Sequence, residues 1–122
     1  MIKRFDTLEV ATTDLADAAG IYARNFGLKP AAPHDDAVRI AIGDAQIRLR
    51  SGAAVADLIA ASGEGLGAIW LEADDIDQVA GALERAAVKF APIRREGDRR
   101  VLAVDASAAN QVPLFIFDRR AG

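Results

Sequence analysis

The feature of this sequence that most constrains its fold is an internal repeat. Residues 67–80 begin with side chains that alternate like those of a β-strand and continue with apolar residues at helical spacing. Residues 7–15 open a second copy, and aligning Asp14 with Asp75 gives an offset of 61 residues. At that offset the apolar helical positions coincide without a gap: Leu15 with Ile76, Ala18 with Val79, Ala19 with Ala80, Tyr22 with Leu83 and Phe26 with Ala87. Such a repeat indicates one supersecondary unit used twice.

Each copy predicts the order strand–helix–strand–strand–strand. Asp14 and Asp75 are suited to cap the two helices, since a short carboxylate accepts the first amide hydrogens of a helix. In the first copy we predict strands over residues 2–11, 28–32, 37–42 and 45–50 and a helix over 15–26. In the second copy we predict strands over residues 66–73, 89–94, 99–104 and 112–117 and a helix over 76–86. Residues 51–65 are small and glycine-rich and read as a linker with a short helix.

Length and composition narrow the possible classes of protein. A chain of 122 residues with 52% apolar residues suits one domain, with a first module over about 1–50, the linker over 51–65 and a second module over about 66–122. The absence of cysteine removes disulfides, zinc–thiolate sites and thiol nucleophiles. A mixed charge with a net of −3 predicts no nucleic-acid partner, and no apolar run is long enough to predict a membrane span. We therefore expect a cytoplasmic protein.

The repeat, the order of elements and the pattern of a strand followed by Asp14-Leu15 or Asp75-Ile76 and a helix resemble the vicinal oxygen chelate superfamily. This superfamily includes glyoxalase I, methylmalonyl-CoA epimerase, extradiol dioxygenases and bleomycin-resistance proteins. The resemblance implies an α+β fold in which two βαβββ modules form one cupped mixed sheet. It also implies helices on the convex side and a ligand or metal on the concave side.

Members of this superfamily that use a metal place its ligands on the first and fourth strands of each module. The resemblance puts those four positions at Thr7, Arg48, Ala68 and Phe115. Alanine and phenylalanine offer no donor atom, and a guanidinium is a permanent cation that repels a metal ion. The only histidine, His34, lies in a predicted turn and reads as a solvated residue. We therefore expect no metal and no other cofactor.

Alternation along the strands predicts which side chains line the concave face. The candidate ligand-binding residues are Thr7, Glu9, Arg48, Trp70, Glu72 and Phe115. Aromatic side chains beside a few fixed polar groups are typical of sites for small organic molecules. We expect an apolar or aromatic ligand body against Trp70 and Phe115, and an anionic end held by the planar fork of Arg48.

Each candidate also has a purely structural interpretation. Trp70 and Phe115 can fill the core. Because the resemblance implies that the first and fourth strands lie side by side, Glu9 and Arg48 can form a cross-strand ion pair. Glu72 is a candidate general base, but no partner acid or nucleophile is visible. Four arginines flank a predicted turn and are either a solvated hairpin or an anion-binding clamp: Arg94, Arg95, Arg99 and Arg100.

The sequence thus predicts a metal-free, glyoxalase-like protein that binds a small organic ligand and forms a homodimer. One alternative is a lyase, isomerase or dioxygenase-like enzyme with a non-standard metal site or a carboxylate base. Another is an interaction module whose concave face is filled by its own side chains. Catalytic residues are not identifiable from the sequence.

Overall fold

The computed structural model of this chain describes residues 2–109 and 112–120. The helices of this part of the chain are α1 (Leu15–Phe26), α2 (Ala53–Ser62) and α3 (Ile76–Arg85), with a short 3₁₀ helix at Ala106–Ala109. The strands are β1 (Ile2–Ala11), β2 (Ala37–Ile42), β3 (Ala45–Arg50), β4 (Gly65–Ala73), β5 (Arg94–Glu96), β6 (Arg99–Val104) and β7 (Leu114–Asp118). Between the predicted strands over 99–104 and 112–117, Asn110 and Gln111 lie outside the described residues.

The strands form an open, mixed sheet of seven strands within the described residues, in the order β2-β3-β1-β4-β7-β6-β5. Pairing of β1 with β3 and of β4 with β7 is parallel, whereas β2 with β3, β6 with β7, and β5 with β6 are antiparallel. The predicted α+β class with a mixed sheet is confirmed, and the short helix expected in the linker is α2. No helix of the described residues has both the length and the apolar character needed to span a membrane.

Equivalent aspartates begin the two repeated helices, as the offset predicts. The side chain of Asp14 accepts a hydrogen bond from the amide of Asp17 at the start of α1. At the start of α3, the side chain of Asp75 accepts one from the amide of Asp77. Each bond satisfies an amide that lacks a partner within its own helix. Gly27 then ends α1 with a positive φ of 67°, a conformation that glycine adopts without a steric penalty.

Two predicted strands are wrong. Residues 28–32 form no strand, and the segment after them makes a single bridge from His34 to Ala37. In the second copy the predicted strand over 89–94 is reduced to one bridge at Phe90, and β5 starts only at Arg94. Prolines lie in or beside both segments, and proline cannot donate a backbone hydrogen bond to a sheet.

The chain divides into two compact units. The N-terminal unit is Thr7–Gly67, and the C-terminal unit combines the chain from Ala68 onward with the residues up to Asp6. The N-terminal unit has a small buried cluster of Val38, Ile40 and Leu49, against which Leu15, Ala18, Ala19 and Tyr22 of α1 pack. The C-terminal unit has a larger buried cluster: Ala73, Ile76, Val79, Leu102, Val104 and Ile116.

The last pair of the repeated helical positions does not belong to either core. Phe26 was expected on the buried face of α1 but is 67% exposed, and its ring contacts Tyr22 at a centroid distance of 6.0 Å. Its counterpart Ala87 lies beyond the end of α3 with a positive φ of 57°. Tyr22 and Leu83, one turn earlier, each pack against the core of their own unit as the repeat predicts.

Candidate functional site

The candidate residues of the N-terminal unit form a polar face on β1 and β3, defined here by Thr7, Glu9, Gln46 and Arg48. Thr7 lies opposite Gln46 and Glu9 opposite Arg48 in the parallel register. The Thr7 hydroxyl accepts a hydrogen bond from Nε2 of Gln46 at 3.0 Å. Nη2 of Arg48 donates to Oε1 of Glu9 at 2.9 Å. The cross-strand ion pair predicted from the sequence is therefore present.

A second arginine shares the carboxylate of Glu9. Nη1 of Arg50 lies 3.5 Å from Oε2, so each oxygen of Glu9 faces a different guanidinium group. Glu9 is buried, whereas Arg48 and Arg50 are half-buried. Each oxygen of the Glu9 carboxylate therefore has a positively charged neighbour. The negative charge of Glu9 is compensated by Arg48 and Arg50 within the same unit.

The candidate residues of the C-terminal unit form an aromatic face on β4 and β7, defined here by Trp70, Phe115 and Phe117. Trp70 lies opposite Phe115 in the parallel register. Their rings are stacked, with centroids 4.5 Å apart and an interplanar angle of 17°. The ring of Phe117 is tilted against Trp70 at 6.3 Å. Trp70 and Phe115 remain half-buried, while Phe117 is fully buried.

Arginines lie over the phenylalanine rings of the aromatic face. The guanidinium carbon of Arg99 lies 4.2 Å from the centre of the Phe117 ring, and that of Arg119 lies 5.5 Å from the same ring. Arg94 lies over Phe115 at 5.9 Å. These distances allow cation–π attraction, so the face combines aromatic surface with positive charge.

Glu72 is the carboxylate next to this face, and arginines surround it. Its Oε1 accepts a hydrogen bond from Nε of Arg4 at 2.7 Å, and its Oε2 lies 3.6 Å from Nε of Arg119. Arg119 also donates to Asp98 at 2.9 Å. A general base needs a free lone pair aimed at the substrate. Glu72 instead uses both oxygens on guanidinium groups, which is the arrangement of a structural counter-ion.

Sequence reasoning missed Arg4 and Arg119. For Arg119 a signal existed, because the alternation of Phe115 and Phe117 continues onto it two residues later. For Arg4 there was none, since Asp6 and Thr7 are consecutive and both buried, so strict alternation fails at that point of β1.

The four arginines that flank the β5–β6 turn do not act as one group. Arg94 and Arg95 are exposed and Arg99 is half-buried, but Arg100 is only 9% exposed and is not solvated. Arg100 forms a two-pronged ion pair with Asp118, with Nη2 to Oδ2 at 2.6 Å and Nε to Oδ1 at 3.0 Å.

Asp118 is fully buried and also accepts a hydrogen bond from the amide of Ile76, the first residue of α3. Burial alone would raise the pKa of Asp118, but hydrogen bonds from Arg100 and from the amides of Ile76 and Arg120 hold that pKa below its usual value. The same pair raises the pKa of Arg100. This cluster joins the last strand to α3 and has a structural role.

The positions that the superfamily uses for metal ligands do not fit a divalent cation. The Thr7 hydroxyl is bonded to Gln46, Arg48 carries a permanent positive charge, and Ala68 has no donor. The Phe115 ring is stacked on Trp70. Across residues 2–109 and 112–120, no three His, Asp or Glu side chains are grouped in a way that could hold a metal ion. His34 is exposed and lies beside Asp35, as predicted for a solvated residue.

The repeated strand–helix units within one mixed sheet define a protein of the glyoxalase-like fold class. The sequence matches the model of the Glyoxalase/Bleomycin resistance protein/Dioxygenase superfamily over residues 4–107, and the chain therefore belongs to this superfamily. No curated protein matches the sequence.

Similar solved structures include methylmalonyl-CoA epimerases. The enzyme from Mycobacterium tuberculosis is 18% identical, with a TM-score of 0.76 over 98% of this chain and 90% of that chain. A Streptomyces coelicolor variant in complex with 2-nitronate-propionyl-CoA is also 18% identical, with a TM-score of 0.76 over 99% of this chain and 100% of that one. An epimerase in complex with methylmalonyl-CoA and NH4+ has the same identity and TM-score over 99% and 97%. At this identity the likeness shows a shared fold.

Proposed function

We propose that this protein binds a small organic molecule with an aromatic or apolar body and an anionic end, and that the body lies on the aromatic face of the C-terminal unit. The observation that carries the proposal is the half-buried stack of Trp70 on Phe115, with guanidinium groups beside it. Aromatic rings supply contact area without requiring hydrogen bonds, and neighbouring cations select an anion.

The similar structures support a small organic ligand. Two of them are complexes with coenzyme A derivatives, 2-nitronate-propionyl-CoA and methylmalonyl-CoA. The proposal concerns binding, which an enzyme of this superfamily must also achieve before any reaction. Glu72 is engaged by Arg4 and Arg119, so no described contact favours a carboxylate-base mechanism over binding alone.

The sequence alone assigns the anionic end to Arg48, and this assignment stays a prediction, together with ligand roles for Thr7 and Glu9. Arg48 donates to Glu9, so an anion at Arg48 would have to compete with a buried carboxylate of the same unit. The arginines of the C-terminal unit are the alternative binding site for the anionic end of the ligand. The expected homodimer and cytoplasmic location also stay predictions, and light scattering in solution tests the first.

A fluorescence titration tests the proposal, because Trp70 is the only tryptophan of the chain. The probes share a phenyl group and differ in charge: phenylacetate, phenylacetamide and phenethylammonium. We expect phenylacetate to change the Trp70 emission most and phenethylammonium least. Phe115→Ala should weaken the response, whereas Phe26→Ala, which removes an exposed ring of the N-terminal unit, should not. If none of the probes changes the emission, the proposal is wrong.

A further inference from the structure

We infer that Arg99 recognises the anionic end of the ligand, and that this end is a carboxylate. The inference rests on the proposed function and gives it a residue and a chemical group. It assigns the anion to the C-terminal unit and gives the β5–β6 hairpin a role in specificity.

The first argument is the position of the guanidinium group of Arg99. Its central carbon lies 4.2 Å from the centre of the Phe117 ring, closer than Arg119 is to the same ring or Arg94 is to Phe115. Phe117 is fully buried, so its ring is a fixed support on one side of the guanidinium. A supported fork loses less freedom on binding, and its N–H edge can donate two parallel hydrogen bonds to a carboxylate.

The second argument is the distribution of charge around the aromatic face. Three carboxylates lie nearby, and each is engaged by another arginine. Glu72 bonds to Arg4, Asp98 to Arg119 and Glu96 to Arg94. Within the described residues, Arg99 has no carboxylate within 4 Å of its nitrogens. One half-buried cation is therefore left without a counter-ion, and it attracts a monoanion.

Glu96 is the residue that could neutralise Arg99. The two lie directly opposite each other across the hairpin. Glu96 is instead 3.3 Å from Nη2 of Arg94, in an ion pair that is about half exposed on both sides. Arg94 thus keeps the nearest carboxylate away from Arg99, and removing Arg94 would let Glu96 compete with the ligand.

The charge also favours a carboxylate over a phosphate. A phosphate monoester carries close to two negative charges at neutral pH, whereas a carboxylate carries one. Arg119, the other guanidinium over Phe117, is already bonded to Asp98 and lies near Glu72. A single uncompensated guanidinium therefore matches a monoanion.

The test is calorimetric titration of wild type, Arg99→Gln, Arg99→Lys and Arg95→Gln with phenylacetate, phenylacetamide and phenyl phosphate. We expect Arg99→Gln to weaken phenylacetate binding about tenfold, since a charge-assisted hydrogen bond is lost, and to leave phenylacetamide unchanged. The affinity of Arg99→Lys for phenylacetate should lie between those of wild type and Arg99→Gln, because lysine keeps the charge but lacks the planar fork. Arg95→Gln is the matched control: it removes the same charge from the same hairpin, at a position paired with Arg100 on the opposite face.

Arg94→Gln adds a second, independent result. It should weaken phenylacetate binding although Arg94 is not the residue that contacts the anion, and Glu96→Gln in the same chain should restore the affinity. Failure of the restoration would show that Glu96 does not compete for Arg99, which contradicts the charge argument.

The outcomes separate the two proposals. If phenylacetate and phenylacetamide lose affinity equally in Arg99→Gln, Arg99 only packs on Phe117 and the inference is wrong. The inference is also wrong if Arg95→Gln has the same effect as Arg99→Gln, or if phenyl phosphate binds more tightly than phenylacetate. In those cases wild type still binds a probe, and the proposed function stands. If wild type binds no probe, the proposed function itself fails.

Discussion

The two units carry chemically different cross-strand pairs of side chains at the same position of the repeat. Glu9 and Trp70 are 61 residues apart, as are the capping residues Asp14 and Asp75. In the parallel register Glu9 lies opposite Arg48, and Trp70 lies opposite Phe115. One unit thus carries an ion pair where the other carries an aromatic stack. The repeated backbone fixes the position of each side chain, and the residue type alone decides which interaction forms there.

The units also differ in how their repeated helix is held. In the C-terminal unit, Ile76 and Val79 of α3 are buried in a large cluster, and Asp118 accepts a hydrogen bond from the first amide of the helix. In the N-terminal unit no residue of α1 is fully buried. A helix gains most of its stability from packing an apolar face. We therefore expect the largest mutational effects in the C-terminal unit.

The largest expected effect is that of Asp118→Asn, which removes the counter-ion of Arg100. Breaking a buried ion pair by changing one partner costs about 3–5 kcal/mol, because the other charge stays buried. Asp77 also bonds to Arg100, so we expect a value near the lower end of that range. Glu9→Gln, the comparable change in the N-terminal unit, should cost about 1 kcal/mol, since Arg48 and Arg50 are only half-buried. Urea melts of both variants measure the difference, and equal losses would contradict the comparison.

The same aspartate predicts how this difference depends on pH. Because the pKa of folded Asp118 lies below its usual value, the folded state releases its proton more readily than the unfolded state. Its stabilisation is complete above about pH 4 and is lost as the pH falls through the folded pKa. The stability difference between wild type and Asp118→Asn should therefore shrink below about pH 4. Carboxylates with lowered pKa elsewhere, such as Glu64, are present in both proteins and cancel.

Leu83→Ala should destabilise the protein by about 2 kcal/mol, the lower end for a large-to-small change, because Leu83 is only half-buried against the C-terminal core. Phe26→Ala in the N-terminal unit removes a larger side chain that is 67% exposed, and it should cost less than about 1 kcal/mol. Thermal or urea unfolding of the two variants tests this ranking. A larger loss for Phe26→Ala would mean that this ring is buried in solution, for example against a second copy of the chain.

The smallest effects are expected for the interaction energies within the two cross-strand pairs, Trp70–Phe115 and Glu9–Arg48. Double-mutant cycles should give a coupling of about 1 kcal/mol for Trp70 with Phe115 and a similar or smaller value for Glu9 with Arg48. Raising the NaCl concentration to about 1 M should reduce only the second coupling, since salt screens charges but not ring stacking. If the coupling energy between Trp70 and Phe115 falls as the salt concentration rises, the interpretation of this pair as a ring stack is contradicted.

Much of the fold could be predicted from local patterns in the sequence. Asp14 and Asp75 cap the repeated helices, and Gly27 ends α1, because caps and stops depend on a few neighbouring residues. Alternation alone could not show that residues 28–32 form no strand, where Pro30 and Pro33 lack the backbone donors that pairing with β2 would need. The exposure of the Phe26 ring could not be predicted either. It depends on the small size of the N-terminal core, which no local pattern in the sequence reveals.

The candidate site could be predicted only in part. Alternation placed Trp70 and Phe115, and likewise Glu9 and Arg48, on the concave face, and the resemblance to the superfamily placed the first and fourth strands of each module side by side. The partners of Glu72 could not be found, since Arg4 precedes a break in the alternation of β1. The burial of Arg100 could not be found either, because it depends on Asp118, 18 residues further along the chain.

The location of a bound ligand tests the central claim most directly. A crystal of the protein grown with 4-bromophenylacetate allows the bromine to be placed by its anomalous scattering. We predict a bromine position in contact with the Trp70 and Phe115 rings, at about 4 Å, and a carboxylate within hydrogen-bond distance of Arg99. A ligand whose carboxylate instead replaces Glu9 at Arg48, with no density beside Arg99, would contradict this account and assign the anion to the N-terminal unit.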